Sequence, residues 1–191
     1  MPQLSNLELY VVGPLAMGYY TGEDGGIKVF EILVKDRSLN PSSRGAGSLS
    51  QICKDLLPTL TASTFQRGSQ FADNLRDTET GVPVGFVEPG LSGYIAPSGP
   101  GSLFCPGVAV PSPTDLLAQE VFATTFLSGS DFWDALQDAH VLRYLAEPYA
   151  GPNGRLSLTP TQLDAVLWGF PYFSTQLDGS ELSWEIFFDL V

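Results

Sequence analysis

His140 is the one histidine of the chain, and it is the candidate for acid–base chemistry near neutral pH. The surrounding sequence predicts a helix that starts near Asp131. On that helix Trp133 lies seven residues before His140 and Tyr144 lies four residues after it. This spacing suits a general base in a partly buried aromatic pocket. The alternative, a histidine at the edge of the core that bonds a backbone carbonyl, is favoured because no nucleophile or second base accompanies it.

Three carboxylates share another side of the same predicted helix. Asp131, Asp134 and Asp138 follow one another at spacings of three and four residues. Like charges at these spacings destabilise an isolated helix by a few tenths of a kcal/mol per pair. One interpretation is a solvated face. The other is a docking face, in which the carboxylates make charge-assisted contacts with lysines or arginines of a partner.

The sequence lacks the common motifs of catalysis and of cofactor binding. It contains no glycine-rich phosphate loop ending in lysine, no Gly-x-Ser-x-Gly, no His-Glu-x-x-His and no Cys-x-x-Cys. The stretch SGPGS at 98–102 resembles a glycine loop only loosely, because Pro100 has no N–H to bind a phosphate. A single histidine excludes a site built from several histidines, and its spacing from Cys53 and Cys105 fits no zinc pattern. No cofactor and no metal are therefore predicted.

The charge balance favours basic partners. Nine Lys and Arg stand against 21 Asp and Glu, which gives a net charge of −12. Residues 114–191 hold eleven of the acids and only two bases, Arg143 and Arg155, so this part carries −9. Such a surface repels nucleic acids and anionic membranes, and it also keeps a protein in solution.

Length and composition predict one globular domain over residues 1–191. The chain is 43% hydrophobic and needs neither disulfide nor metal to build a core. Two cysteines, Cys53 and Cys105, are expected as free thiols. The N-terminal sequence does not have the pattern of a secretory signal, so the expected location is the cytoplasm.

The predicted strands open and close the chain. Residues 7–20 and 27–37 read as a hairpin around a glycine-containing turn, and the alternation over 182–190 predicts a C-terminal strand. Between them lies a Gly/Pro-rich loop segment, residues 83–113, in which short strands are expected at 84–87, 94–96 and 108–110.

The predicted helices are marked by their N-terminal signals. Ser48 and Gln51 form a capping box, and Ser112-Pro113 and Thr159-Pro160 each combine a cap residue with a proline. A further helix, capped by Ser130, spans Asp131 to Ala146, and the helix that Thr159-Pro160 opens is expected to end near Gly169 and Pro171. The fold class predicted is α+β: a mostly antiparallel sheet holding the hairpin and the C-terminal strand, with three to four helices packed on it.

The function that these features favour is non-enzymatic. We expect an acidic intracellular protein that docks a basic protein partner, for example an inhibitor or immunity protein that neutralises a toxin or nuclease. One alternative is a structural subunit of a viral or other large particle, suggested by low charge and abundant Gly, Pro and aromatic residues. A second is a small enzyme with an aromatic pocket around His140.

Overall fold

The computed structural model describes residues 7–22, 29–36, 65–67, 75–77, 79–90, 93–99 and 101–191. They fall into two compact units, which we call the sheet unit (Met1–Pro89 and Ser102–Val110) and the helical unit (Gly90–Gly101 and Pro111–Val191). The predicted helix at Ser48 and the thiol of Cys53 lie outside the described residues. Cys105 is a free thiol, as expected, and it is exposed. The single domain stays a prediction.

The described residues of the sheet unit form seven strands and one α-helix. The strands are β1 (Leu7–Val12), β2 (Phe30–Asp36), β3 (Phe65–Arg67), β4 (Leu75–Asp77), β5 (Pro83–Val87), β6 (Ser102–Cys105) and β7 (Val108–Val110). Their order across the sheet is β3–β4–β5–β2–β1–β7–β6. The five strands β5–β2–β1–β7–β6 form the body of the sheet, and β3 and β4 extend it at one edge. The core of this unit lies along the two central strands, where Tyr10, Val11, Val12 and Leu33 are buried.

The sheet is mixed: of the six pairings between its described strands, four are antiparallel and two are parallel, so the predicted antiparallel character is confirmed in part. Strands β1 and β2 do pair antiparallel, with Leu7 opposite Asp36 and Val12 opposite Glu31. Each of them, however, pairs parallel with a strand on its other side, β1 with β7 and β2 with β5. Parallel neighbours need long connections, and such pairing between distant segments leaves no trace in local periodicity.

The predicted strand over 7–20 is half helix. Strand β1 ends at Val12, and helix α1 (Pro14–Thr21) follows it directly. Pro14 occupies the first turn of this helix, where the missing N–H has no partner to lose. Gly13 supports the sharp change of direction with a φ of 65°.

The helical unit contains α2 (Pro113–Ala123), α3 (Ser130–Ala146), α4 (Pro160–Phe173) and α5 (Glu181–Phe187). Two predicted starts are confirmed in atomic detail: the Ser112 hydroxyl accepts from the Asp115 N–H, and Thr159 forms a capping box with Gln162. The predicted cap at Ser130 is wrong, because that residue is already helical and Gly129 precedes it without a side-chain bond. Helix α4 also runs through Pro171 to Phe173, slightly beyond its predicted end near Gly169 and Pro171.

The C-terminal strand predicted over 182–190 is wrong, because this segment forms α5. The buried residues are Trp184, Phe187 and Phe188, at the spacings of three and four that a helix produces. The alternation that predicts a strand places Trp184, Ile186 and Phe188 on one face, and Phe187 is the exception to it. That exception was the helical signal. With α1, the described residues hold five α-helices rather than three to four.

The Gly/Pro-rich loop segment contributes strands to the sheet. The strands expected at 84–87 and 108–110 are confirmed as β5 and β7, whereas 94–96 is not a strand and β6 was not predicted. None of the helices among the described residues has both the length and the apolar character needed to cross a bilayer.

Candidate functional site

Helix α3 carries all six residues singled out from the sequence. It begins after Gly129, whose positive φ of 62° changes the direction of the chain between the preceding turn and the helix. Its buried side is built mainly from small and aliphatic residues, which pack closely against its neighbour α2: Ala135, Leu136, Ala139, Leu142 and Ala146. The rest of the surface of α3 therefore presents polar and aromatic side chains to solvent.

The three aspartates lie along one flank of α3, as their spacing predicts. Asp131 and Asp134 are exposed, and Asp138 is half-buried. Burial, and secondly the nearby charge of Asp134, raise the pKa of Asp138 above its usual value. Among the described residues no ion pair involves any of the three. The stripe is thus a run of carboxylates that no described lysine or arginine neutralises through an ion pair.

Replacing Asp138 with Asn should stabilise the protein slightly at neutral pH. Because the folded-state pKa of Asp138 is raised, the folded state holds its proton more tightly than the unfolded state. Ionisation therefore costs stability as the pH rises above the unfolded pKa. We expect Asp138→Asn to raise the free energy of unfolding by a few tenths of a kcal/mol at pH 7. Urea denaturation at a series of pH values checks this prediction. The gain in stability should disappear below the ordinary pKa of Asp, where the carboxyl group is protonated in both states. A loss of stability at pH 7 would contradict it.

The three residues predicted to form a pocket, Trp133, His140 and Tyr144, do not line a common enclosed pocket. The side chains of Trp133 and Tyr144 are 55% and 73% exposed. The ring contacts described in the structure join Trp133 to Phe132, and His140 to Trp184 at a centroid distance of 5.2 Å. Burial, followed by the charge of Arg143, lowers the pKa of His140. His140 therefore lies at the edge of an aromatic cluster around Trp184, and any catalytic role for it stays a prediction.

The aromatic cluster around Trp184 was not found from the sequence. Trp184 is fully buried, and the Phe173 ring lies 4.9 Å from it, centroid to centroid. The Arg143 guanidinium stacks over Trp184 at 4.5 Å and over Phe187 at 4.9 Å, while its Nη2 donates to the Ser183 hydroxyl at 2.8 Å. The helical spacing of the aromatic residues in α5 is the sequence feature that could have revealed this cluster. The contact between these rings and Arg143, some 40 residues earlier in the chain, could not be predicted from the sequence.

The second base of the helical unit is also held internally. Arg155 forms an ion pair with Asp189 and donates to the main-chain oxygen of Val191 at 2.9 Å. Both arginines that follow residue 113 are therefore committed to α5 or the segment after it. Neither of them lies in an ion pair with the aspartate stripe of α3.

A metal centre needs several ligand side chains around one point. Nowhere in the part of the chain that the structure describes do three or more His, Cys, Asp or Glu side chains converge in this way.

Comparison with known proteins adds information on the fold. No known protein family matches the sequence. No curated protein matches it either. One solved structure that resembles the chain is the crystal structure of an antigenic nucleotidyltransferase-like protein from Paracoccidioides brasiliensis, with a TM-score of 0.54. The identity is 14%, and the match covers 95% of this chain and 88% of that one. At this identity the likeness concerns architecture: the chain has an α+β, nucleotidyltransferase-like fold.

Proposed function

We propose that the helical unit is an acidic docking module for a basic protein partner, with Asp131, Asp134 and Asp138 on its contact face. The observation that carries this proposal is the uncompensated charge of the unit. Its residues include eleven acids and two arginines, a net of −9 out of −12 for the chain. Both arginines are bound to the unit's own C-terminal part. The negative field therefore acts on whatever approaches from solvent.

An inhibitor or immunity protein acting inside a cell fits this charge distribution, because complementary fields raise the rate of encounter with a basic target. The structural-subunit alternative fits it less well. Contact between copies through the helical unit would bring two surfaces of −9 together, at a cost in Coulomb repulsion.

The test compares two variants of equal charge. The first is Asp131→Asn, Asp134→Asn, Asp138→Asn; the control is Asp164→Asn, Asp178→Asn, Glu185→Gln, which neutralises three acids elsewhere in the helical unit. Each protein is immobilised and exposed to lysate of the native host at low and at moderate salt. We expect one basic protein to be retained by the wild type and the control and to be lost from the first variant. Equal loss of the partner from the two variants would mean that net charge alone acts, and equal retention by all three proteins would mean that none of these acids matters. Either result would make the docking face wrong.

A second candidate function, nucleotide binding at the sheet unit, is favoured by the fold and by one local feature. At the turn from β1 into α1, a Cβ on Gly13 would meet the Glu31 carboxylate at 2.6 Å, so the glycine allows this carboxylate to lie against the helix N-terminus. Carboxylates are ligands for the divalent cation that accompanies nucleotide phosphates. Calorimetric titration with ATP and Mg²⁺ checks this. Saturable binding that Gly13→Ala abolishes would support it, and no binding to the wild type would exclude it.

A further inference from the structure

An open groove lies on the helical unit, next to the stacked Arg143. Its volume is about 430 Å³, within the range of roughly 300–1,000 Å³ typical of small-ligand sites. The lining combines three polar side chains with an apolar wall: Arg143, Asn153 and Ser183, and Leu182, Ile186 and Phe187. The groove is distinct from the aspartate stripe of α3, since none of the three carboxylates lines it.

Arg143 is a half-buried cation without an ion-pair partner among the described residues. Burial lowers its pKa, and Glu147, one helical turn further on, acts in the opposite direction without forming an ion pair. Arg155, the other arginine of the unit, is by contrast paired with Asp189. Partly desolvated charges in proteins are normally paired with an opposite charge, whereas the Arg143 guanidinium is stabilised here by two aromatic rings and by Ser183. Arg143 therefore has the electrostatic environment of a site that receives an anion.

The hydrogen-bond donors around the groove match a carboxylate. The structure commits only one nitrogen of the Arg143 guanidinium, Nη2, which bonds Ser183. A guanidinium carries five N–H donors in a planar fork that suits a carboxylate. The amide oxygen of Asn153 accepts a hydrogen bond from the main-chain N–H of Arg155 at 3.3 Å, and the amide nitrogen of Asn153 can donate to a ligand. The polar end of the groove is thus rich in donors.

The apolar wall indicates what adjoins the carboxylate. Leu182 is 61% exposed and Ile186 is 39% exposed, both on the helix that also supplies Phe187. We propose that this groove binds the C-terminal carboxylate of a peptide whose last side chain is apolar, with Arg143 and Asn153 on the carboxylate and Leu182 and Ile186 on the side chain. Basic residues upstream in such a peptide would also be attracted by the charge of the unit. The site does not depend on the docking face of α3.

The experiment uses the full chain and a defined probe, the peptide acetyl-Lys-Gly-Lys-Leu with a free C-terminal carboxylate. Isothermal titration calorimetry compares it with the same peptide ending in a carboxamide, and with octanoate. We expect saturable binding of the acid, and binding at least tenfold weaker for the carboxamide, because the amide cannot pair with Arg143. Octanoate should bind less tightly than the peptide acid.

Two variants locate the binding. Asn153→Asp keeps the oxygen that accepts from Arg155 and adds a negative charge to the groove; Gln137→Glu adds the same charge on the exposed side of α3. We expect the first to weaken the peptide acid about tenfold and the second to leave it within twofold. Equal binding of acid and carboxamide, no binding of the acid at millimolar concentration, or equal effects of the two variants would each overturn the proposal. Octanoate binding as tightly as the peptide would assign the groove to a free carboxylic acid instead.

Discussion

Replacing Gly169 with Ala should destabilise the protein by about 3 kcal/mol or more, because α4 has no room for a methyl group at this position. A Cβ built on Gly169 would lie 2.0 Å from the carbonyl oxygen of Val121 and 2.8 Å from the Cα of Phe122. Both atoms belong to the backbone of α2, so no change of rotamer relieves the overlap. The two helices would have to move apart and lose part of the core between them.

The control for this substitution is Gly99→Ala, since nothing lies within 4 Å of the position of its added Cβ. Its free energy of unfolding should stay within about 0.5 kcal/mol of the wild type. Urea denaturation of both variants, followed by far-ultraviolet circular dichroism, makes the comparison. If Gly169→Ala unfolds at the same urea concentration as Gly99→Ala, the close contact between α2 and α4 is wrong.

Replacing Asp115 with Ala should have an effect of similar size, for a different reason. The Asp115 side chain is 3% exposed, and its carboxylate accepts from the Ser98 N–H at 2.9 Å, the Ser112 hydroxyl at 2.8 Å and the Gln162 amide at 2.8 Å. These donors come from the segment before β6, from the cap of α2 and from the first turn of α4. Alanine would leave the buried Gln162 amide and the two part-buried donors without this acceptor, and an unsatisfied buried donor costs about 1–3 kcal/mol.

We therefore expect Asp115→Ala to lower the free energy of unfolding by about 3 kcal/mol or more, measured by urea denaturation at pH 7. Asp164→Ala, which removes an exposed carboxylate from α4, serves as the matched control and should change stability by less than about 0.5 kcal/mol. Similar losses in the two variants would show that the Asp115 network does not hold the helical unit together.

The elements that could be predicted are those specified by a few adjacent residues. The caps at Ser112 and Thr159 start α2 and α4 because a hydroxyl and the backbone N–H groups it satisfies lie within one turn. The same locality explains the error at Pro14, where apolar residues on both sides of the proline read as one continuous strand. A proline that follows a glycine is equally compatible with the first turn of a new helix, which is what the structure shows at Pro14.

The contacts that could not be predicted join distant segments. The sequence predicts a helix end near Gly169 and Pro171, yet Gly169 lies inside α4, where the backbone of α2 packs directly against it. Arg143 is one of two bases that follow residue 113, and nothing near it in the sequence predicts that it stacks on two rings of α5. The aspartate stripe of α3 followed from its spacing, whereas the half-burial of Asp138 depends on tertiary packing. Parallel pairing in the sheet likewise depends on which segments meet in space.

The most direct test of the docking proposal is the salt dependence of association with the basic partner retained in the capture experiment. Stopped-flow mixing measures the association rate of the wild type, of the variant that replaces Asp131, Asp134 and Asp138 with Asn, and of the equally charged control. We expect the rate for the wild type and the control to fall steeply with ionic strength. The aspartate variant should associate on the order of tenfold more slowly at low salt, with a shallower slope. An unchanged rate and an unchanged slope for that variant would contradict the proposed docking face.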